Sequence, residues 1–368
     1  MPSKIPKATP VIARSSWRTQ KNMRTRLNSS SHSVSSPSGG HQSVLLHEVQ
    51  HALDIQPDDV VLDGTLGGGG HARELAKGLG SRGLFIGFDL DQDAIERTRE
   101  LFRGLAVHAI FIVANFRNIS TELASRDTPK LTKALFDLGW SSYQLDSGRG
   151  FSFLKDEPLL MTYAKPARPE TGRSGADGAA LTAETIVNTW AESSLADVIY
   201  GFGGERYARR IAKGIVDERA RRPIKTAKEL AEVVRSAVPA RARHGRIHPA
   251  TKTFQALRIA VNDELGALKE GLTAAWSLLE DNGKIAVITF HSVEDRVVKH
   301  LFAEWVKQGD GKLFSKKPIA PTREETLANP RARSAKLRVI QKISNTILHG
   351  SSNTKNKQIR PFDISGET

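Results

Sequence analysis

The sequence contains no cysteine and only three methionines among its 368 residues. Without thiols there is no disulfide, no thiolate zinc site, no CxxC redox centre and no cysteine nucleophile. Nor does any stretch approach the roughly 18 uninterrupted apolar residues of a membrane-spanning helix, so no membrane is expected as a partner. Internal repeats are absent, and residues 1–40 hold no aspartate or glutamate. With 39% hydrophobic residues, the chain still has material for one large core or two ordinary ones.

What the sequence has in excess is positive charge, formally +14, and it is unevenly placed. Residues 1–40 carry seven Lys or Arg and ten serines, and residues 204–258 carry fifteen basic residues against five acids; the remainder is mildly acidic. The leader 1–40 lacks apolar periodicity and reads as a disordered basic tail, because it cannot offset the entropy of ordering. An Arg- and Ser-rich, acid-free leader also has the composition of an organellar transit peptide, so the expected location is the bacterial cytoplasm, with an organellar matrix as the alternative. Residues 343–368 are polar and weakly patterned and read as a loose C-terminal tail.

From residue 58 short apolar runs alternate with helical stretches. Val60–Leu62 ends in Asp63, Leu84–Phe88 ends in Asp89, a third strand fits Ala109–Val113, and a fourth, Ala134–Phe136, ends in Asp137. This alternation predicts a doubly wound parallel sheet, in which ligands bind beyond the carboxyl ends of the strands. The residues at those ends are Asp63, Gly67–His71, Asp89, Asn115, Phe116 and Asp137. Glycines after the first strand let a ligand approach the backbone at a helix N-terminus. Asp89, 20 residues beyond Gly69, sits where a carboxylate can accept from both ribose hydroxyls of an adenosine. Gly67, Gly69 and Ala72 satisfy a relaxed dinucleotide fingerprint, so NAD and S-adenosylmethionine both fit at this level.

Strand four runs into DLGWSSYQLDSGRGFSF (137–153), where Asp137, Ser141, Ser142 and Gln144 cluster hydrogen-bonding groups and no hydride-transfer partner is evident. Such groups suit an exocyclic base amine, a poor nucleophile that gains from being held and aligned. Methylation of cytosine at carbon needs a cysteine to attack the ring, so the missing thiol favours nitrogen as acceptor.

HQSVLLHEV (41–49), DGTLGGGGH (63–71), DLGWSSYQLD (137–146), RGFSF (149–153), IHPATKTFQALRIAVNDEL (247–265), TFHSVEDR (289–296) and NPRARSAKLR (329–338) follow in order. Together they resemble the bacterial ribosomal small-subunit RNA (cytosine-N4)-methyltransferases of the MraW/RsmH family over residues 41–342. The resemblance implies a class I, Rossmann-like S-adenosylmethionine-dependent methyltransferase interrupted by a small helical domain. The reaction it implies is methyl transfer to the N4 amine of a cytosine in the decoding centre of the small-subunit rRNA. It also implies that Gly69, Gly70, His71, Asp89, Phe116, Asp137 and Gln144 contact the cofactor, that Asp137 and Ser142 serve the chemistry, with Ser141 near the target amine, and that no metal is required. Two stretches depart from the family pattern: Trp140 replaces a small apolar residue, and Pro158–Tyr163 (PLLMTY) lacks the acid and arginine of a PLDMRMD-like run.

The expected organisation is a methyltransferase part at 41–164, an inserted helical domain with a basic face at 165–246, and the second methyltransferase part at 247–342. Residues 165–180 are Pro/Gly-rich and read as a linker; helical spacing follows over 181–240. Arg206, Arg209, Arg210, Arg246 and Lys252 are the expected RNA-phosphate contacts, alongside the alternative of a solvated face. A single long amphipathic helix is predicted from Thr253 to Leu279, closed by Asn282-Gly283, with a strand at Ile285–Phe290. His291, at that strand's carboxyl end, is a further RNA-side candidate, while Glu294–Arg296 fit a helix-start charge cluster. Phe151 and Phe153 fit either base stacking or a core. The implied partner is small-subunit rRNA or the assembled subunit; oligomeric state stays open, a homodimer included. The rival functions are an NAD-linked dehydrogenase on the same glycine loop and a non-catalytic RNA-binding assembly factor.

Overall fold

The computed structural model describes residues 43–139, 148–163, 181–245 and 247–344. The leader 1–40, Trp140, Ser141, Ser142, Gln144, the linker 165–180, Arg246 and the tail from 345 lie outside the described residues.

Seven strands form one sheet in the order β3-β2-β1-β4-β5-β7-β6. They are β1 (Val60–Asp63), β2 (Leu84–Asp89), β3 (His108–Val113), β4 (Leu131–Asp137), β5 (Leu279–Thr289), β6 (Gly311–Leu313) and β7 (Lys336–Lys342). The first five run parallel, and β7 enters antiparallel between β5 and β6. β1, inside the sheet, is buried at all four positions, and that double-sided burial is why Val60–Leu62 reads as an unbroken apolar run. The chain order reverses at β1, between β2 and β4, so a crevice opens beyond the carboxyl ends of those strands. This is the Rossmann-like α/β sheet that the sequence predicts. The reversed hairpin-like addition of β6 and β7 was not visible as periodicity, because β6 has only three residues and β7 mixes Lys and Arg with its apolar positions.

Two apolar clusters, one on each face, fix the sheet. Phe136, Ile285 and Val287 pack with Leu268, Leu272 and Phe302, where Trp276 and Trp305 stack at 4.3 Å. Val61, Leu135 and Ile288 pack with Leu45, Leu53 and Leu75 on the opposite side. A third cluster belongs to the helices Ala183–Thr189, Glu192–Gly203, Ala208–Arg219, Ala227–Ala237 and Thr251–Asn262, and it also draws in Phe151, Leu159 and Met161. Phe151 is 4% exposed and stacks on Tyr163, and Phe153 packs against His248 and Phe254, so both rings are committed to this helical layer.

The long return helix is corrected by the structure. Thr251–Asn262 and Glu264–Leu278 are two helices separated by Asp263, which adopts a left-handed φ of 47°. The apolar spacing runs through the break unchanged, so periodicity alone could not reveal it. The Asn-Asp pair is the local signal, since these residues tolerate that conformation better than most. The second helix also ends before Leu279, where β5 begins, rather than at Asn282-Gly283.

Candidate active-site cleft

A cleft opens at the carboxyl ends of the parallel strands. Gly64 and Thr65 follow β1, Asp89 and Leu90 end β2, Asn115 and Phe116 follow β3, and Asp137–Gly139 leave β4. The far wall is built by Tyr163, Asn262, Glu264 and Glu294.

The glycine loop positions this floor through backbone bonds. Gly64 N–H donates to Leu135 O at 2.9 Å and Leu66 N–H to Phe88 O at 3.0 Å, stitching the loop to the ends of β4 and β2. Gly69 has φ +75° and precedes the helix Gly70–Ala76; a side chain there would also strike Thr98 and Leu101. Gly69 and Gly70 therefore turn toward packed neighbours and are not among the residues lining the cleft. His71 lies behind it, 6% exposed, with Nε2 3.0 Å from Val44 O and Nδ1 3.4 Å from the Asp137 carboxylate. Burial disfavours a charged ring, but Asp137, aided by Asp63, outweighs it and raises the His71 pKa above its ordinary value. With acceptors at both nitrogens, the imidazolium form is satisfied on both sides.

Asp137 is held from two directions: its amide donates to Thr65 Oγ1 at 2.6 Å, and its carboxylate faces His71. Thr65 in turn donates its amide to Asp63 Oδ1 at 2.9 Å. Asp63 is fully buried, and desolvation pushes its carboxyl up to about 7 against the pull of the Thr65 amide. Asp89 accepts the amides of Gly67 (2.8 Å, Oδ2) and Asp91 (2.9 Å, Oδ1), which oppose the upward shift caused by its burial. Each of its oxygens retains a lone pair for a ligand hydroxyl.

Phe116 forms the wall beside Leu90, Ala114 and Leu268, edge-on to Phe136 at 5.7 Å. It fits because Gly271 faces it: a Cβ at residue 271 would collide with the Phe116 ring. Arg117 ties this wall to the helix break, bonding Asp263 at 2.8 Å and Glu270 at 2.9 Å.

The structure thus brings Asp89, Phe116 and Asp137 to one cleft, places His71 behind Asp137, and sets Gly69 and Gly70 in the supporting turn. Ser142, Gln144 and Arg246 lie outside the described residues. Arg206, Arg209 and Arg210 are exposed on the helical layer, away from the cleft lining. Lys252 is exposed, with its ammonium on Gly204 O at 3.0 Å. His291 caps the helix Ser292–Gln308: its side chain accepts from the Glu294 amide, and Glu294 reciprocates on the cap backbone. Asp295 is a structural anchor, bonding Lys336 at 3.0 Å and Arg338 at 2.7 Å on β7. Sequence reasoning missed Tyr163, Asn262 and Glu264 and read Glu294 only as helix-start charge. The available signal was the polar NDE run interrupting an apolar helix pattern.

Chemically, the cleft favours a cationic ligand. Asp89, Asp137, Glu264 and Glu294 line it, and no Lys or Arg does among the described residues. A dinucleotide would bring a diphosphate dianion among these carboxylates, whereas a sulfonium meets a complementary field. The apolar slot at Phe116, with the Asp89 carboxylate at its edge, fits an adenosine.

Comparison with known proteins agrees with that preference. Two relatives named "Ribosomal RNA small subunit methyltransferase H" are 43% identical (Clostridioides difficile, 82% of this chain and 99% of the relative) and 41% identical (Lactiplantibacillus plantarum, 83% and 98%). A solved structure, described as a putative rRNA-methylase from Clostridium thermocellum, aligns at 14% identity and a TM-score of 0.39 over 83% of this chain and 98% of that one, a similarity too low to carry weight. The model of the MraW methylase family matches residues 38–343, which takes in both halves of the sheet and the whole helical layer between them. A methylase family, matched along its length and consistent with a cleft that repels diphosphate, leaves no place for the dehydrogenase reading: the chain belongs to the MraW methylase family.

Proposed function

We propose that this protein transfers a methyl group from S-adenosylmethionine to the exocyclic N4 amine of a cytosine in the decoding centre of small-subunit rRNA. The observation that carries the reading is the carboxylate-lined cleft, with Asp89 and Phe116 both in its wall, at the strand ends of a chain from this family. When bound, S-adenosylmethionine supplies an electrophilic methyl group on a cationic sulfur.

The chain's residues do the positioning. Asp89 holds the ribose hydroxyls and Phe116 the adenine face; the Gly67 amide fixes Asp89, and Gly69, Gly70 and His71 carry the loop backbone past the ligand's polar end. Asp137, fixed by Thr65 and His71, draws the target amine into line and accepts the proton that its nitrogen gives up as positive charge develops there. Ser142 and Gln144 complete that side. The target base leaves its stack to reach the cleft, which costs a few kcal/mol and less where the RNA is already irregular.

The RNA backbone is gripped by Arg206, Arg209, Arg210, Arg246 and Lys252. Part of the neighbouring basic run faces carboxylates: Lys213 pairs with Asp217, Arg221 and Arg222 share Glu218, and Arg235 pairs with Glu232. Arg209 and Arg210 have no ion-pair partner among the described residues and project net charge. The substrate is the rRNA within the small subunit or its precursor, and the setting is the bacterial cytoplasm; no helix among the described residues is long and apolar enough to cross a membrane.

Calorimetry with S-adenosylhomocysteine and NAD tests the cofactor, with binding expected only for the first. Asp137→Ala is expected to retain rRNA binding while losing methyl transfer to isolated small subunits. Tight NAD binding, or full transfer by the variant, would overturn the reading.

A further inference from the structure

The ring of His71 is buried behind the cleft, in the first turn of the helix Gly70–Ala76, where no ligand reaches it. Its Nε2 lies 3.0 Å from the Val44 carbonyl, an acceptor that cannot change state, so this nitrogen keeps its proton in every form of the ring. The lone pair of the neutral ring is therefore on Nδ1, which faces the Asp137 carboxylate at 3.4 Å. Asp137 itself lines the cleft. Cleft, carboxylate and imidazole thus stand in series.

A carboxylate oxygen and a ring nitrogen that both lack a proton repel each other, and one proton between them removes the repulsion. The surroundings favour that proton. Asp63, at the end of β1, adds a second negative charge, and the two carboxylates outweigh the burial that opposes a charged ring. These two acids are the charged groups that act on the ring, and the N-terminal segment presents the neutral Val44 carbonyl.

We propose that His71 is where the proton released by methyl transfer comes to rest, a proposal that rests on the methyl-transfer reading above. The bond from the methyl carbon to N4 forms as the sulfur–carbon bond breaks, and the electron pair of the broken bond stays on sulfur. The amine nitrogen, now with four bonds, gives one N–H proton to the Asp137 carboxylate. Asp137 passes it to His71 Nδ1, and the 3.4 Å gap closes as charge builds. The positive charge lost at sulfur reappears on the imidazolium, so the net charge of the site is unchanged across the step. A lone carboxylate, with an ordinary pKa of about 4, holds a proton poorly at neutral pH, whereas an imidazole at about 6.5 holds it far better. His71 acts through Asp137 and touches no substrate atom: it positions the carboxylate and clears it of the proton.

The test uses the full chain labelled with 15N-histidine, together with isolated small subunits. The ring of His71 is titrated by NMR in the S-adenosylhomocysteine complex, and single-turnover methyl transfer is followed between about pH 5 and about pH 9. Transfer should rise with pH to a plateau, with a midpoint above 6.5 that coincides with the titration of Nδ1. His71→Gln offers an amide donor to Val44 but cannot hold a proton; it should lose about 100-fold in kcat with KM and S-adenosylhomocysteine affinity unchanged, and the midpoint should vanish. Asp63→Asn removes the other acid beside the ring and should keep the midpoint, moved to lower pH. A ring that titrates more than about one pH unit from the kinetic midpoint, or not at all, would overturn the relay, and that result stands even where a variant fails to fold. A His71→Gln enzyme with the wild-type pH profile would overturn it too, leaving the ring a purely structural part. Absence of transfer by wild type at every pH would overturn the methyl-transfer reading and the relay with it, a result distinct from transfer with mismatched midpoints.

Discussion

Gly271 shows how a single missing methyl group shapes the cofactor slot. The ring of Phe116 occupies the space that a Cβ would need, so Gly271→Ala must push the ring, and Phe116 lines the cleft. Alanine also improves helix propensity, so global stability should change little while S-adenosylhomocysteine binding weakens roughly tenfold. Calorimetry on a variant of unchanged melting temperature checks this, and unaltered affinity would show that Phe116 is not a cofactor wall. Behind the cleft, Asp63 and His71 predict a pH dependence of stability. Asp63 titrates near 7 in the fold against 3.8 ordinarily, so between those values the native state holds a proton the unfolded chain has lost, and stability falls as pH rises. The raised His71 pKa acts in the same direction, its contribution being full below 6.5 and lost as pH rises through the folded value. Thermal melts should thus decline from pH 5 toward pH 8, and Asp63→Asn should flatten the slope. A wild-type slope of the opposite sign would contradict the burial argument.

Among elements, the corner at Asp263 has the widest consequences. It turns the chain so that Asn262 and Glu264 face the cleft, and it places the Asp263 and Glu270 carboxylates under Arg117, next to Phe116. The side chain of Arg117 is 18% exposed and that of Asp263 26%, so removing Arg117 leaves the Asp263 carboxylate only partly reached by water, while Glu270, 59% exposed, stays solvated. Arg117→Ala should cost about 1–3 kcal/mol of stability in denaturant melts and weaken cofactor binding as well. Loss of stability with intact cofactor affinity would mean that the corner supports the fold alone. The corner also marks the limit of what sequence patterns reveal. The parallel strands, the strand-end acids Asp63, Asp89 and Asp137, and the glycine turn were legible because buried strands and tight turns impose their composition locally. The break at Asp263 was hidden because Leu257, Val261, Leu265 and Leu268 keep helical spacing across it. Glu264 and Tyr163 were hidden for another reason: they meet through contacts about 100 residues apart, at 2.8 Å. Gly69, Gly70 and His71 read as ligand contacts from the motif, yet the structure gives their side-chain faces to packing and to Asp137.

For the whole molecule, charge is divided between two surfaces of opposite character. An acidic cleft suits a cationic cofactor, and the exposed arginines of the helical layer suit a polyanion. Pairing sharpens the second point, since Arg221 and Arg222 share Glu218 and Arg235 faces Glu232, whereas Arg209 and Arg210 face no carboxylate among the described residues. Charge reversal at Arg209 and Arg210 should weaken rRNA binding and lower the slope of log K against log salt by about 1 to 2, leaving S-adenosylhomocysteine affinity intact. Reversal at Arg221 and Arg222 should do less, because those arginines already face carboxylates; equal effects would mean the layer acts only through its total charge. The central claim is that these two surfaces cooperate to methylate one cytosine nitrogen. The most direct measurement is mass-spectrometric mapping of small-subunit rRNA from cells with and without this protein. The account predicts one cytosine in the decoding centre that gains a methyl on N4 only when the protein is present, and that stays unmodified when Asp137→Ala replaces it. A methyl on C5, a site outside the small subunit, or identical maps with and without the protein would contradict it.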